Sequence, residues 1–262
     1  MHHRTTVAGF AGALALSALT IPGAAQADDS SGDIRITNVV VNGGRDIVLG
    51  TTYVKTFTIA VTATDDSGIE VGKTFPVMWH TPFPNGDYHG LVMPDNFAGK
   101  CVRQSFTTTT CTYTLEINPR VDPQDNTTAG TWTVSAPALA NDGDYITKDS
   151  AAKAKVLRNS RLTVNASPEP VKKNKTITVT GALTRANWET YKYGGYTKQP
   201  VKLQFKKKGS STYKTLKTAT TDSKGNLRTT TKATADGHFR YFFAGTSTTP
   251  AVASTADYVD VK

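Results

Sequence analysis

Two acidic turns in the first half of the chain offer oxygen ligands for a hard cation. One contains Asp65 and Asp66, and the other contains Asn141, Asp142 and Asp144. Calcium prefers carboxylate, amide and carbonyl oxygens, so five donors would converge if both turns lay at the same end of a sheet sandwich. Neither turn matches the twelve-residue calcium loop between two helices, and tight turns also select Asp and Asn. A calcium site and ordinary turn chemistry both remain open, and no other cofactor is expected.

Six basic side chains of the second half are candidates for binding an anionic polymer. They are Lys202, Lys206, Arg228, Lys232, His238 and Arg240. In extended strands, residues an even number apart share one face, so we expect these side chains to form one positive stripe. Such a stripe attracts anionic cell-wall polymers or polysaccharides with an affinity that falls as salt rises. Nucleic acid is not the expected partner, because the basic start and apolar stretch of residues 1–27 predict export.

Two other interpretations of these charges stay open. Lysines on a sheet face can simply keep a protein in solution without any specific partner. Alternatively, the acidic first half of one molecule can contact the basic second half of another, which would give self-association.

An aromatic segment follows in the second half. Tyr191, Tyr193 and Tyr196 lie around the Gly194-Gly195 pair, and aromatic rings on such a loop can stack on sugar rings. These three tyrosines are therefore candidates for carbohydrate stacking. We expect Trp188, at the start of the segment, to fill the core of the second β-domain.

Catalytic motifs are missing from the sequence. There is no nucleophile elbow, zinc-protease helix or phosphate-binding loop. His80, Asp87 and His89 are close enough in sequence to converge on a metal, but the Pro and Gly residues around them are those of a turn. We predict that the protein is not an enzyme.

Cys101 and Cys111 are the only cysteines. A single pair without neighbouring histidines does not supply the four ligands of a structural zinc site, and it fits one disulfide in an oxidising compartment. The pair is predicted to be a structural disulfide.

Alternation of apolar and polar residues predicts that β-strands position all of these side chains. The clearest alternating runs are residues 57–61, 113–117, 132–136, 177–179, 201–205 and 239–243. Turn residues separate the runs, and Thr is frequent on their polar faces. The pattern predicts an antiparallel sandwich or barrel with very little helix.

The N-terminus predicts export. Residues 1–27 have a basic start, an apolar stretch from Val7 to Leu19 and the small-residue ending Ala25-Gln26-Ala27, which is typical of a cleaved signal peptide. No later apolar run is long enough to span a bilayer, so we predict a secreted protein without a transmembrane segment.

Charge divides the rest of the chain. Residues 28–157 contain 10 Lys and Arg against 15 Asp and Glu, whereas residues 158–262 contain 19 against 6. A break this sharp predicts an acidic domain over residues 28–157 and a basic domain over residues 158–262.

Short motifs in both halves carry a family resemblance. Residues 63–69 with 130–134 resemble the turn and late strand of bacterial immunoglobulin-like domains, and residues 221–227 with 237–241 resemble a second such type. With residues 40–44 and 185–189, the mature chain resembles a family of actinobacterial secreted proteins whose members are often labelled calcium-binding. The resemblance implies two tandem immunoglobulin-like antiparallel β-sandwiches.

Together these features predict a secreted, non-enzymatic binding or structural module. Its basic second domain would contact an anionic cell-envelope polymer or polysaccharide. The alternative is an extracellular calcium-binding protein that uses the acidic turns of the first domain.

Overall fold

The computed structural model describes residues 28–82 and 88–262, so the predicted signal peptide lies outside the described residues. Their regular structure is β-strand apart from two short 3₁₀ turns, Asn42–Gly44 and Asn126–Thr128, which confirms the predicted all-β class. Within the described ranges, no helix is long and apolar enough to cross a membrane.

The strands of the first half form two facing sheets. In chain order they are β1 (Asp29–Ser31), β2 (Arg35–Val41), β3 (Ile47–Leu49), β4 (Lys55–Thr64), β5 (Val77–Pro82), β6 (Tyr88–Val92), β7 (Lys100–Arg103), β8 (Thr108–Ile117), β9 (Gly130–Leu139) and β10 (Tyr145–Arg158). One sheet has the order β1-β10-β9-β5-β6, with β3 parallel to β10. The other has the antiparallel order β2-β4-β8-β7.

The predicted alternation builds the first core. Phe57 and Ile59 on β4 are buried, and so are Leu115 and Ile117 on the paired strand β8. Trp132 on β9 of the facing sheet is fully buried in the same apolar cluster. Each strand therefore gives its apolar face to the interior, where burial contributes about 25 cal/mol per Å² of apolar surface.

The second half repeats this arrangement with ten further strands. They are β11 (Ser160–Leu162), β12 (Asn165–Ser167), β13 (Thr176–Asn187), β14 (Lys192–Gly195), β15 (Pro200–Lys207), β16 (Lys214–Thr220), β17 (Asn226–Lys232), β18 (Gly237–Phe243), β19 (Val252–Ala253) and β20 (Asp257–Val259). In one sheet, β11, β12, β14 and β17 all pair with β13. In the other, β15 lies between β16 and β18, and β18 also pairs with β19 and β20.

The two halves follow each other without a linker. Strand β10 ends at Arg158 and β11 begins at Ser160. The junction thus lies beside the predicted boundary between residues 157 and 158, although the domain bounds themselves stay a prediction.

Trp188 corrects one expectation. It is buried, with 1% of its surface exposed, but it packs in the apolar cluster of the first sandwich. Its indole N–H donates a hydrogen bond to the Gly50 carbonyl at 3.0 Å. The second core contains Phe239, Tyr241 and Phe243 instead, so it has large side chains without this indole.

The predicted disulfide is present. Cys101 on β7 and Cys111 on β8 are directly opposite each other in the antiparallel pair, and their sulfur atoms are bonded. The bond fastens β7, the edge strand of its sheet, to β8.

Candidate functional site

The two predicted acidic turns meet at one end of the first sandwich. The first turn follows β4 and the second connects β9 to β10, so they come from facing sheets. The side-chain amide of Asn141 donates to the Ser67 carbonyl at 2.9 Å, and its backbone N–H donates to the Gly68 carbonyl at 3.0 Å. Asn141 therefore holds the turns together.

Asp33, which no motif in the sequence marks, joins these turns from a third segment. It lies between β1 and β2, and its backbone N–H donates to Asp144 Oδ2 at 2.8 Å. Gly32 makes this approach possible, because a Cβ at that position would lie 1.4 Å from the same oxygen. Its φ of +79° also favours glycine. The turn sequence Ser31-Gly32-Asp33 was the only local signal.

Five carboxylates form two overlapping triads. Oxygens of Asp33, Asp65 and Asp144 lie within 4.8 Å of one another, and so do oxygens of Asp65, Asp66 and Asp142. Asp65 belongs to both triads. The structure thus brings together the carboxylates of both predicted turns and adds Asp33.

Asp65 is the buried member of this cluster, with 4% of its surface exposed. Its Oδ1 accepts hydrogen bonds from the backbone N–H and the hydroxyl of Ser67, at 2.8 and 2.6 Å. Its Oδ2 is buried and has no hydrogen-bond partner among the described residues. A buried charged oxygen without a partner is costly, so a cation at Oδ2 would be strongly favoured.

Electrostatic repulsion within the cluster is visible at Asp33. The negative charge of Asp66, followed by desolvation and by Asp65 and Asp144, raises the pKa of Asp33 above its usual range. Asp33 and Asp65 lie within hydrogen-bonding reach, but two ionised carboxylates have no donor between them. In the described part of the chain, none of the five carboxylates forms an ion pair with a basic side chain.

Four of the six predicted anion-binding residues lie on one sheet. Lys202 and Lys206 are on β15, and His238 and Arg240 are on the adjacent strand β18. Lys206 is directly opposite His238 in the antiparallel register. We call these four side chains the β15–β18 basic face.

Arg228 and Lys232 lie elsewhere. Both are on β17, opposite Thr180 and Thr176 of β13, in the other sheet of the second sandwich. The six residues therefore fall into two groups on facing sheets rather than into one stripe.

Tyr213, which no motif in the sequence marks, packs on the β15–β18 basic face. The guanidinium of Arg240 lies 3.7 Å from its ring centroid, and Lys206 Nζ lies 5.2 Å from it. Arg240 Nε also donates to Gln204 Oε1 at 2.9 Å. These contacts hold the guanidinium in place, which lowers the entropy lost when an anion binds.

Arginines cover the three tyrosines predicted to stack on carbohydrate. The guanidinium-to-ring distances are 5.4 Å for Arg120 and Tyr191, 3.7 Å for Arg161 and Tyr193, and 3.9 Å for Arg185 and Tyr196. Tyr191 is the most accessible of the three, with 41% of its surface exposed. One ring face of each of the other two is already occupied by a guanidinium in close contact.

The histidines of the first half lie near each other. His89 Nε2 is 2.9 Å from Asp125 Oδ2, and the His80 and His89 ring centroids are 6.3 Å apart. Burial, followed by the charge of His89, lowers the pKa of His80. Asp87, the third residue of the hypothetical metal group, lies outside the described residues.

Comparison with known proteins gives one family match and several distant structural likenesses. Residues 51–138 match the model of a family of unknown function, DUF5707. None of the curated proteins compared with the chain matches it. The matched segment begins before β4 and ends within β9, and it includes Asp65 and Asp66 of the acidic cluster.

Three solved structures illustrate the structural likeness. The fibronectin(III)-like modules of Clostridium thermocellum CbhA share 13% identity over 86% of this chain and 93% of theirs, with a TM-score of 0.30. The D00-D0 domain of Intimin shares 15% over 85% and 99%, with a TM-score of 0.28. The amphioxus IgVJ-C2 molecule shares 8% over 81% and 98%, with a TM-score of 0.25. Scores this low say nothing about function.

Proposed function

We propose that this chain is an extracellular protein that binds calcium at the acidic end of its first sandwich. The observation that supports this most directly is Asp65 Oδ2, a buried carboxylate oxygen without a hydrogen-bond partner among the described residues, on a side chain that belongs to both carboxylate triads. A divalent cation supplies the missing positive charge and relieves the repulsion that raises the pKa of Asp33.

The donor set favours calcium over other divalent ions. Every titratable ligand in the two triads is a carboxylate, whereas zinc and copper sites generally include imidazole or thiolate ligands. The ligands come from three separate turns, and calcium tolerates such irregular geometry better than magnesium does. Asp33, Asp66 and Asp142 are exposed, so water can complete the coordination.

An extracellular location fits this function. The Cys101–Cys111 disulfide is typical of oxidising compartments, and residues 1–27 are predicted to direct export. Calcium sites of extracellular modules generally have dissociation constants of about 10⁻⁴–10⁻³ M, so the site would not need the affinity of an intracellular sensor.

Thermal melting with calcium and with chelator tests this proposal. Binding to the folded state alone stabilises it by about 2.7 kcal/mol at a hundredfold excess over the dissociation constant, so calcium must raise the melting temperature. Asp65→Asn should reduce this increase strongly, because it removes the buried charge but keeps an oxygen for the Ser67 hydrogen bonds.

The second sandwich offers a matched control for that variant. Asp222 also begins a tight turn, and its Oδ1 accepts from the backbone N–H groups of Lys224 and Asn226 at 2.8 Å each. It belongs to neither carboxylate triad. Asp222→Asn should keep the full calcium response. An unchanged wild-type melting temperature with calcium and with chelator would exclude the proposed site.

A second candidate function is contact between the β15–β18 basic face and an anionic cell-envelope polymer. The supporting observation is that Lys206, His238 and Arg240 adjoin one another without an ion-pair partner in the described chain. Tyr213 and Gln204 orient the guanidinium of Arg240. If the protein self-associates, the acidic half of a second copy would contact the same β15–β18 basic face.

Retention on isolated cell wall at two salt concentrations tests this second function. Lys202→Glu with Lys206→Glu should weaken retention at low salt at least about tenfold, since each basic residue near an anionic surface contributes about 1 kcal/mol. Arg228→Glu with Lys232→Glu makes the same change in net charge on the other sheet and should have much less effect. Equal losses in both variants would indicate net charge alone and contradict a specific face.

A further inference from the structure

We infer that the acidic end of the first sandwich binds two divalent cations, with Asp65 as the ligand that both share. This inference rests on the proposed function and adds the number of ions and their separate ligands. Asp33 and Asp144 would complete one position, and Asp66 and Asp142 the other.

The spacing of the carboxylates supports two positions. Calcium ligands lie about 2.3–2.6 Å from the ion, so two ligands on opposite sides of one ion are about 5 Å apart at most. Each triad satisfies this limit, with its oxygens within 4.8 Å of one another. The five carboxylates do not combine into one group at that distance, and only Asp65 is common to both.

The charge of the cluster also favours two divalent ions. Five ionised carboxylates carry five negative charges, and the described part of the chain provides no ion-pair partner for them. One divalent ion would leave three negative charges in a small volume, whereas two ions leave one. Repulsion among the negative charges left after the first ion favours the second.

Asp65 has the environment that a shared ligand requires. Ser67 fixes the carboxylate through two hydrogen bonds to Oδ1. Because the side chain is already ordered, ion binding costs little side-chain entropy. The remaining oxygen, Oδ2, is buried and has no hydrogen-bond partner among the described residues. Its burial excludes the water that would otherwise solvate it.

The first position also connects the beginning of the described chain to the sandwich. Asp33 follows β1, and β1 pairs only with the start of β10 in the described sheets. An ion between Asp33 and Asp144 would add a second attachment for this short strand. Amide hydrogen exchange at residues 29–33 therefore reports on the first position separately from the second.

Counting bound calcium tests the inference. Native mass spectrometry and titration calorimetry with calcium chloride should give two ions per wild-type chain. Asp33→Asn with Asp144→Asn should retain one ion and lose the calcium-dependent protection of residues 29–33. Asp66→Asn with Asp142→Asn should retain one ion and keep that protection.

Two further variants complete the design. Asp65→Asn should weaken both positions at least about tenfold, and Asp222→Asn should still bind two ions. All substitutions replace a carboxylate with an amide of the same shape, and circular dichroism of the chelated proteins checks that each variant folds.

The outcomes separate this inference from the proposed function. A wild-type chain that binds one ion would overturn the two-ion inference and leave calcium binding intact. A wild-type chain that binds none would overturn both. Loss of both ions in either double variant would show that the triads are not separate positions, which also overturns the inference.

Discussion

Burial determines what an aspartate in a tight turn can do in this protein. Asp65 and Asp222 both accept hydrogen bonds from the residues that follow them. Asp222 is exposed, and backbone donors from Asn226 and Lys224 lower its pKa. Asp65 is buried beside other carboxylates and has an oxygen without a hydrogen-bond partner in the described chain. The same turn chemistry thus gives a satisfied turn at one position and a candidate ligand at the other.

At the residue scale, the pKa of Asp33 predicts the pH dependence of calcium binding. Repulsion from Asp66 raises this pKa, so Asp33 takes up a proton at a higher pH than an ordinary aspartate and competes with calcium there. Calcium affinity should therefore decrease at mildly acidic pH, before ordinary carboxylates protonate. Calorimetry across a pH series measures this, and Asp33→Asn should make the decrease shallower.

The raised pKa of Asp33 also makes the stability of the folded protein depend on pH. Because the pKa is raised in the folded state, protonated Asp33 adds stability that is fully present below its unfolded pKa and is lost as the pH rises through the folded pKa. In chelator, Asp33→Asn should remove this loss, and the variant should melt at a higher temperature than wild type at pH 7. Equal pH profiles for variant and wild type would contradict the assignment.

Strands were more predictable from the sequence than sheets. The alternation in residues 57–61 and 113–117 correctly identified the buried faces of β4 and β8. The same alternation places Lys202 and Arg228 outward, yet it says nothing about which sheet each strand joins. Pairing depends on contacts between distant parts of the chain, which a local period of two residues does not encode.

The acidic cluster also depends on contacts between distant parts of the chain that local sequence patterns do not predict. Both turns were recognisable from their Asp, Asn and Gly residues, and their convergence required only that β4 and β9 end on the same side of the sandwich. Asp33 was not recognisable, because its hydrogen bond to Asp144 joins residues 111 positions apart. Tyr213 was not recognisable either. It lies just before β16, and no local sequence pattern relates it to Arg240.

In the whole molecule, the two sandwiches share a packed junction. Asn126 of the first half donates to the Asn187 side chain at 3.1 Å and accepts from the Trp188 backbone N–H at 3.0 Å. Arg158, buried at the junction, donates to the Ala186 carbonyl at 2.6 Å. Burial and the nearby charge of Arg185 lower the pKa of Arg158 to about 10, so its guanidinium is still charged at neutral pH.

The position of Trp188 predicts that the second half contributes to the stability of the first. Trp188→Ala removes a side chain that is 1% exposed from the first core, together with its hydrogen bond to Gly50. Substitutions of this kind cost about 3–5 kcal/mol, which is a large share of a typical domain's stability. Urea unfolding should show this loss, and amide exchange at Leu49 and Leu115 should become faster.

Thr190→Ala is the matched control, because Thr190 is exposed in the same turn and the substitution should change stability by no more than about 0.5 kcal/mol. If the two sandwiches were stable independently, each core would respond only to substitutions in its own half of the chain. In that case Trp188→Ala would accelerate exchange only in the second core, at residues such as Val179 and Leu203, and Leu49 and Leu115 would keep their wild-type rates. The burial of Trp188 among first-half residues predicts the opposite pattern, because the free energy lost is that of contacts with the first core.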